Sequence, residues 1–188
     1  MPAGFDTRLA DAALLGIRVL YFEREQHGFK APSRWSDQAM ATTTTHDLPT
    51  VAGWWSGQDI DWRVKLDLLA VGQTAEHAHA ERAGERAALW DAFTREGLTA
   101  AELPAAVDTG NVIDAAFAYV AATRAPLVIV PIEDALGLDQ QPNLPGTVDT
   151  HPNWRRRLPG DVAHLFDDVR VRQRFFLLNR SRALPKES

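Results

Sequence analysis

The residues best suited to chemistry in this chain are His46 and Asp47, which follow a β-branched run at residues 42–45. That run favours an extended strand, and Pro49 prevents the strand from continuing. In parallel-sheet and barrel enzymes the catalytic residues lie at the C-terminal ends of strands. An imidazole beside a carboxylate at this position therefore predicts a catalytic site. The alternative is structural, with Asp47 as a turn former or helix N-cap and His46 as its solvated neighbour.

Two other predicted strands also end on acidic residues. The apolar run at 17–22 leads into Glu23, and the apolar run at 126–132 leads into Glu133 and Asp134. The second run is continuously apolar, which is typical of a strand buried on both faces of a parallel sheet. Glu23 is either a carboxylate in a cleft or a salt-bridged residue at the rim of one.

Helical patterns separate these strands. We expect helices at residues 7–15, 59–69 after a break near Gly57, 74–97, 112–123 with Asn111 as its cap, and 161–184. Residues 26–34 are expected to form a loop, because Gly28 and Pro32 interrupt them. Alternation of strands and helices predicts an α/β fold with a parallel sheet.

Composition limits the classes of function. The 188 residues are 45% hydrophobic, which is enough for one domain spanning 1–188 with a substantial core. A formal charge of -5 argues against nucleic acid or an anionic membrane as the main partner. The chain has no membrane-span pattern, no export signal at Met1 and no cysteine, so we expect a soluble, cytoplasmic protein without disulfides or thiolate metal sites.

Metal binding is not expected. His77 and His79 lie two residues apart in a predicted helix, so their side chains point away from each other. With no cysteine and no third ligand nearby, we predict neither a metal nor another cofactor.

Aromatic and polar residues near the candidate site indicate ligand binding. Trp54 and Trp55 are adjacent, and a sugar ring stacks well on an indole; the alternative is that at least one of them is core. The segment 138–159 contains four prolines and no periodicity, which is typical of a functional loop. Its arginines at 155–157 are expected to form ion pairs and carbonyl contacts in this acidic chain.

Several longer motifs occur in one order along residues 7–182. They are Glu-Arg at 23–24, Thr-His-Asp-Leu-Pro-Thr at 45–50, Gly-Trp-Trp at 53–55, Val-Pro-Ile-Glu-Asp at 130–134, and Gln-Pro-Asn-Leu-Pro-Gly-Thr through His-Pro-Asn-Trp-Arg at 141–155. This set resembles the 4-α-glucanotransferases, also called amylomaltases or disproportionating enzymes. Several motifs in a fixed order are more specific than any one of them alone.

The resemblance implies an enzyme of a glycoside hydrolase family with a (β/α)8 TIM barrel. Such an enzyme transfers segments of an α-1,4-glucan to the 4-hydroxyl of a glucan or glucose by a retaining mechanism. The resemblance implies that Asp47 stabilises the transition state and that His46 beside it contacts sugar hydroxyls. Asn143, Trp54 and Glu23 are further expected to bind the substrate, an α-1,4-glucan or maltooligosaccharide.

The chain departs from the family in one large respect. The family's nucleophile and general acid/base lie upstream of the strand at 17–22, and three strands are found where a barrel needs eight. Glu23 and Glu133 lie at strand ends, but the family does not use those positions for these roles. The resemblance therefore implies a C-terminal portion, a partial barrel with the last three β-strands and their helices, which is inactive alone and has an upstream barrel half as a partner.

Two other functions are compatible with the same residues. One is a non-catalytic module that binds maltooligosaccharides or complements a partner. The other is a metal-dependent hydrolase built on His46 and Asp47, whose signature would be loss of function on chelation.

Overall fold

The computed structural model describes residues 4–26, 28–100 and 102–183, in which one helix precedes four strands, four helices follow these strands, and a fifth strand precedes two further helices. The predicted alternation of strands and helices is therefore wrong for the first four strands. The strands are β1 (Gly16–Val19), β2 (Arg24–Glu25), β3 (Gly28–Phe29), β4 (Ala39–Thr42) and β5 (Leu127–Ile129). The helices are α1 (Phe5–Asp11), α2 (Val51–Ser56), α3 (Gln58–Lys65), α4 (Ala75–Arg95), α5 (Gly110–Ala121), α6 (Ile132–Leu136) and α7 (Val169–Ala183).

The central sheet contains three parallel strands in the order β1, β4, β5. Val19 pairs with Thr42, and Thr42 pairs with Ile129, so the C-terminal ends of the three strands meet at one edge. Strands β2 and β3 form a separate antiparallel pair. The predicted α/β class with a parallel sheet is confirmed, and the sheet edge that carries His46 and Asp47 also carries the ends of β1 and β5.

In the described part of the chain, the two faces of this sheet are not equally covered. The row of Ala41 and Val128 faces the core, whereas the neighbouring row of Ile17 and Leu127 is 52% and 44% exposed. The expectation that the strand at 126–132 is buried on both faces is therefore wrong. Strand β5 lies at an edge of the described sheet, and Ile129 is also about half exposed.

Several element boundaries differ from those expected. Helix α5 begins at Gly110, so Asn111 lies in its first turn and does not cap it. The predicted loop at 26–34 contains β3 and a 3-10 turn at Pro32–Arg34. The predicted final helix is divided into a 3-10 helix at Val162–Asp167 and α7, and residue 184 lies outside the described residues. The expected break at Gly57 is confirmed, because that residue has a φ of 88° between α2 and α3.

The core lies between the sheet and helices α2, α4 and α5. Trp55, Phe93, Phe117 and Tyr119 are among its fully buried side chains. Trp54 is also buried, at 4% exposure. The alternative interpretation is that at least one of the two adjacent tryptophans belongs to the core, and it holds for both. Among the described residues, this layer of large side chains packs on the face of the sheet that contains Ala41. In the described part of the chain, no helix combines the length and the apolar character needed to cross a membrane. The predicted cytoplasmic location stays a prediction.

A buried ion pair joins α3 and α4. Arg82 donates to both carboxylate oxygens of Asp59, over 2.7 and 2.9 Å, and its side chain is only 9% exposed. The same guanidinium donates to the carbonyl of Trp54 and lies 4.7 Å from the centre of its ring. One side chain thus fixes two helices to the tryptophan that follows the candidate catalytic loop.

Replacement of Arg82 by leucine should destabilise the chain by about 3–5 kcal/mol, because the Asp59 charge would remain buried without a partner. Arg95→Leu on the same helix is the matched control, since its ion pair with Asp91 is exposed and should contribute about 0.5 kcal/mol or less. Urea unfolding of the two variants measures both losses. Equal losses in the free energy of unfolding of the two variants would show that the buried ion pair stabilises the chain no more than the exposed one.

The open face and edges of the sheet should make the chain self-associate. Exposed apolar rows and unpaired strand edges favour contact between copies. We expect concentration-dependent association in analytical ultracentrifugation, reduced by the double substitution Ile17→Lys and Leu127→Lys. Val148→Lys, at a 79% exposed apolar position in the loop, should leave association unchanged. A chain that stays monomeric at all concentrations and melts sharply would contradict this expectation.

Candidate active site

The candidate catalytic residues lie just beyond the end of β4. The chain continues from Thr42 through three threonines to His46 and Asp47, at the C-terminal edge of the parallel sheet. The side chains of His46 and Asp47 are 58% and 48% exposed, and His46 Nε2 lies 3.3 Å from Asp47 Oδ2. Both groups are therefore open to a ligand.

A buried carboxylate fixes both ends of the segment at 43–51, the candidate catalytic loop. Asp134, in the first turn of α6, accepts a hydrogen bond of 2.5 Å from Thr43 Oγ1 and one of 2.7 Å from the backbone N–H of Val51. Thr43 precedes the loop and Val51 is the first residue of α2. Asp134 is 1% exposed, so this predicted strand-end acid lies behind the site and not in a cleft.

Helix α2 has its own cap, which excludes only the N-cap interpretation of Asp47; the residue lies in a turn closed by Leu48 N–H and the Thr45 carbonyl, 3.1 Å apart. The side chain of Thr50 accepts a hydrogen bond of 3.0 Å from Gly53 N–H. Asp47 is thus not the N-cap. The loop is closed further by Pro49, whose carbonyl accepts from the Thr44 hydroxyl over 2.8 Å.

The loop at 138–159 contacts the candidate residues His46 and Asp47 directly. Asn143 Nδ2 donates to Asp47 Oδ1 over 2.6 Å, and Asn143 N–H donates to the carbonyl of His46 over 3.2 Å. Gln141 Nε2 donates to the Asn143 carbonyl over 2.7 Å. The three predicted site residues His46, Asp47 and Asn143 therefore lie together, although 96 positions separate Asp47 from Asn143.

Asn153 organises the far side of this loop. Its Oδ1 accepts from Leu144 N–H over 2.9 Å and lies 2.7 Å from His151 Nδ1, and its Nδ2 donates to the Thr147 hydroxyl over 2.8 Å. His151 is fully buried and meets the edge of the Trp62 ring at a centroid distance of 4.7 Å. The histidine of the His-Pro-Asn-Trp-Arg motif therefore has a structural place under the loop.

Glu23 and Trp54 have partners within the chain. The Glu23 carboxylate is 11% exposed and lies 3.2 Å from Lys30 Nζ and 3.5 Å from Arg18 Nε. This is the salt-bridged arrangement offered as one of its two interpretations. Trp54 stacks on Tyr21 at a centroid distance of 5.1 Å. Contact of either residue with a substrate stays a prediction.

Trp154 is a site residue that the sequence candidates did not include. Its indole is 65% exposed and lies 5.2 Å from the His46 ring, centre to centre. It lines a cavity of about 240 Å³ that also contains His46 and Glu133. The signal that could have identified it is its place in the same polar loop as Asn143.

Other titratable residues named in the sequence analysis form ion pairs. Arg155 Nη2 lies 2.9 Å from Asp149 Oδ1. This ion pair agrees with the prediction made for the arginines at 155–157. His77 contacts Glu81, whereas His79 contacts Asp61, so the two histidines face different carboxylates. Among the described residues, no group of three or more His, Cys, Asp or Glu is arranged to hold a metal ion.

Comparison with known proteins shows which family and which sequences this chain is similar to. A family model described as 4-alpha-glucanotransferase matches residues 1–163. The 4-alpha-glucanotransferase of Mycobacterium tuberculosis (strain H37Rv) is 36% identical over 154 residues, which are 78% of this chain and 20% of that protein. The 4-alpha-glucanotransferase of Haemophilus influenzae is 25% identical over 184 residues, which are 93% of this chain and 26% of that protein. The chain thus spans about a fifth to a quarter of these relatives.

Two solved structures share its fold. The amylomaltase from Corynebacterium glutamicum matches 97% of this chain and 27% of its own, with a TM-score of 0.83 at 22% identity. The amylomaltase from Streptococcus agalactiae in complex with acarbose matches 96% of this chain and 30% of its own, with a TM-score of 0.61 at 17% identity.

The buried carboxylate that fixes the catalytic loop should make stability depend on pH. Burial raises the pKa of Asp134 to about 6, from 3.8, although hydrogen bonds from Thr43 and Val51 lower it. The folded state therefore holds a proton that the unfolded state releases between these values. This contribution to stability is complete below pH 3.8 and is lost as the pH rises through about 6, a change on the order of 3 kcal/mol.

Urea unfolding across pH 4 to 7 should show this loss in the wild type and not in Asp134→Asn. The side-chain amide keeps an oxygen for Val51 N–H but does not titrate. Thr43→Val removes a hydrogen bond that lowers the pKa, so the loss should move to higher pH in that variant. Parallel pH profiles for the wild type and Asp134→Asn would contradict the assignment.

Proposed function

The chain belongs to the 4-alpha-glucanotransferase family, and from this premise we propose that it supplies the transition-state-stabilising carboxylate of a retaining glucanotransferase. That carboxylate is Asp47. The observation that carries the proposal is the contact of Asp47 with Asn143 and His46 at the C-terminal edge of a parallel sheet. The proposed substrates are α-1,4-glucans and maltooligosaccharides.

The geometry suits a sugar that gains positive charge. In glycosyl transfer the anomeric centre develops oxocarbenium character, and hydrogen bonds to ring hydroxyls strengthen as it does. Asn143 orients Asp47 through Oδ1, while Oδ2 faces His46. A fixed, half-exposed carboxylate of this kind attracts the developing charge without having to reorganise during the reaction. His46 is placed to contact a hydroxyl of the same sugar.

The proposed architecture is a partial (β/α)8 barrel with residues 1–188 as one domain portion. Support comes from the parallel sheet, which is helix-covered on one face and exposed along Ile17 and Leu127 on the other. Side chains of the open face would fill the interior of a closed barrel. The match to the Corynebacterium glutamicum amylomaltase, over 27% of that chain, supports the same arrangement.

The proposed reaction uses three carboxyl groups, namely a nucleophile, an acid/base and a carboxylate that stabilises the transition state. The proposal assigns only the last of them, Asp47, to this chain. Retaining chemistry needs a nucleophile and an acid/base about 5 Å apart. The family resemblance places both upstream of β1. A barrel portion that contains them is therefore the proposed partner, and we expect the 188-residue chain to be inactive alone.

A non-catalytic maltooligosaccharide-binding module is the second candidate. One observation favours it, namely that the contacts among His46, Asp47 and Asn143 form within this chain. A module of this kind would bind glucans but would transfer nothing when joined to the rest of a barrel.

A chimaera tests the proposal. This chain would replace the corresponding segment of the Mycobacterium tuberculosis relative, and glucose release from maltotriose would be measured for the chimaera and for the chain alone. We expect activity only in the chimaera, reduced about a hundredfold or more by Asp47→Asn. Asp149→Asn, at an exposed carboxylate of the loop, is the matched control and should keep full activity.

Three results would contradict the proposal. Transfer by the chain alone would mean that the catalytic carboxylates lie elsewhere. Activity that survives Asp47→Asn in the chimaera would remove the role of Asp47. A folded but inactive chimaera that binds maltooligosaccharides would favour the binding module.

A further inference from the structure

We propose that the exposed indole of Trp154 and the cleft beside it form a glucose-binding subsite that extends the catalytic groove away from Asp47. Its ligand is an α-1,4-linked glucose unit of the same chain that occupies the catalytic site. This inference rests on the proposed function and adds the residues that bind the next part of the substrate.

The backbone of Trp154 is the first observation. Its φ is 59°, in the left-handed region that bulky side chains rarely adopt, and its N–H donates to the carbonyl of Pro142 over 3.0 Å. Strained residues of this kind cluster at ligand-binding sites, where the surrounding structure holds them in place. Here the conformation directs an indole outward, at 65% exposure.

The other tryptophans make this exposure informative. Trp35, Trp54, Trp55 and Trp90 are each at most 5% exposed, and Trp62 is half-buried. A large aromatic ring gains most when it is removed from water, so an exposed indole on a strained backbone is costly unless a ligand covers it. Trp154 is thus the tryptophan available for stacking.

Two cavities meet at this ring. The smaller, about 240 Å³, contains His46 and Thr45. The larger, about 530 Å³, contains Asp139 and Arg156. Both are lined by Glu133, Pro142 and Trp154, so the two cavities adjoin at these three residues. Since the His46 ring lies 5.2 Å from the indole and His46 is adjacent to Asp47, the larger cavity lies next to the candidate catalytic residues, on the far side of Trp154.

The walls of the larger cavity suit a neutral sugar. Leu138, Pro142, Leu158 and Trp154 supply apolar surface, on which the C–H face of a pyranose ring packs. Glu133, Asp139, Gln140 and Arg156 supply acceptors and donors for its hydroxyls. The cavity has two carboxylates and two guanidiniums, so the lining charges balance and an anionic ligand has no advantage.

One polar group of this wall is held in place before a ligand arrives. Gln140 Oε1 accepts from Arg156 Nη2 and from Trp62 Nε1, each over 3.0 Å. The side-chain amide is therefore oriented, and its NH2 group is the donor that it can offer to a sugar hydroxyl. Fixed donors of this kind lower the entropic cost of binding.

Isothermal titration of the purified chain with maltoheptaose tests the subsite. We expect binding that weakens about tenfold or more in Trp154→Ala and Trp154→Gly, but about threefold or less in Trp154→Phe, which keeps an aromatic face. The glycine variant removes the ring and also relieves the left-handed backbone, so backbone strain does not account for a loss of binding there, and circular dichroism of each variant checks that it is folded. Val148→Ala, at another exposed apolar position of the same loop, should bind like the wild type.

Iodide quenching gives a second readout in the wild type. Maltoheptaose should protect tryptophan fluorescence from iodide, and this protection should be absent in Trp154→Phe because the remaining tryptophans are buried or half-buried. Cellohexaose, whose β-1,4 linkages give a straighter chain, should protect less. Equal protection by the two glucans would overturn the assignment of an α-1,4-linked ligand.

The subsite and the proposed function fail in different ways. No binding of maltoheptaose by the wild-type chain, or equal binding by Trp154→Ala and wild type, would overturn the subsite. In the chimaera, Trp154→Ala should raise KM for maltotriose while kcat changes little, because the ring lies beyond Asp47. If the chimaera is inactive while the chain alone still binds maltoheptaose through Trp154, the proposed function is overturned and the subsite is not.

Discussion

The structure depends on the buried carboxylate of Asp134. One oxygen accepts from Thr43 at the end of the central strand, and the other accepts from Val51 at the start of α2. These two residues bracket the loop that carries His46 and Asp47. A loop with both ends tied to one carboxylate can expose its own functional groups without losing its geometry. The burial that raises the pKa of Asp134 is the cost of this arrangement.

The second constraint is the one-sided packing of the sheet. Helices α2, α4 and α5 cover the face that contains Ala41, while the face that contains Ile17 and Leu127 remains exposed. The buried pair of Arg82 and Asp59 ties the helical layer to Trp54, close to the catalytic loop. The described chain therefore has a packed helical layer behind the candidate site and exposed apolar residues on the other face of the sheet, and our proposal of a partial barrel rests on this difference.

The loop at 138–159 connects catalysis with substrate length in our proposals. Asn143, near its start, contacts the catalytic carboxylate, and Trp154, near its end, lies beside His46. Asn153 holds the two parts together through Leu144 and Thr147. Because one hydrogen-bonded loop carries both Asn143 and Trp154, the loop fixes the position of the indole relative to the residue that contacts Asp47.

The sequence by itself determined the α/β class, the break at Gly57 and the position of His46 and Asp47 beyond a strand. Local signals carry these features, since β-branched runs, prolines and apolar periodicity act over a few residues. The order of motifs also indicated the family, which the comparisons then established. Asn143 was identified through its motif, although nothing local to it indicated a contact with Asp47.

The tertiary structure decided which polar groups are buried and which face a ligand. The run at 126–132 was expected to be buried on both faces, yet Leu127 and Ile129 are exposed because β5 lies at the edge of the described sheet. Asp134 and Glu133 are adjacent acids in the sequence, but only Asp134 turns inward to Thr43. Burial depends on which distant segments pack together, and a single stretch of sequence does not contain that information.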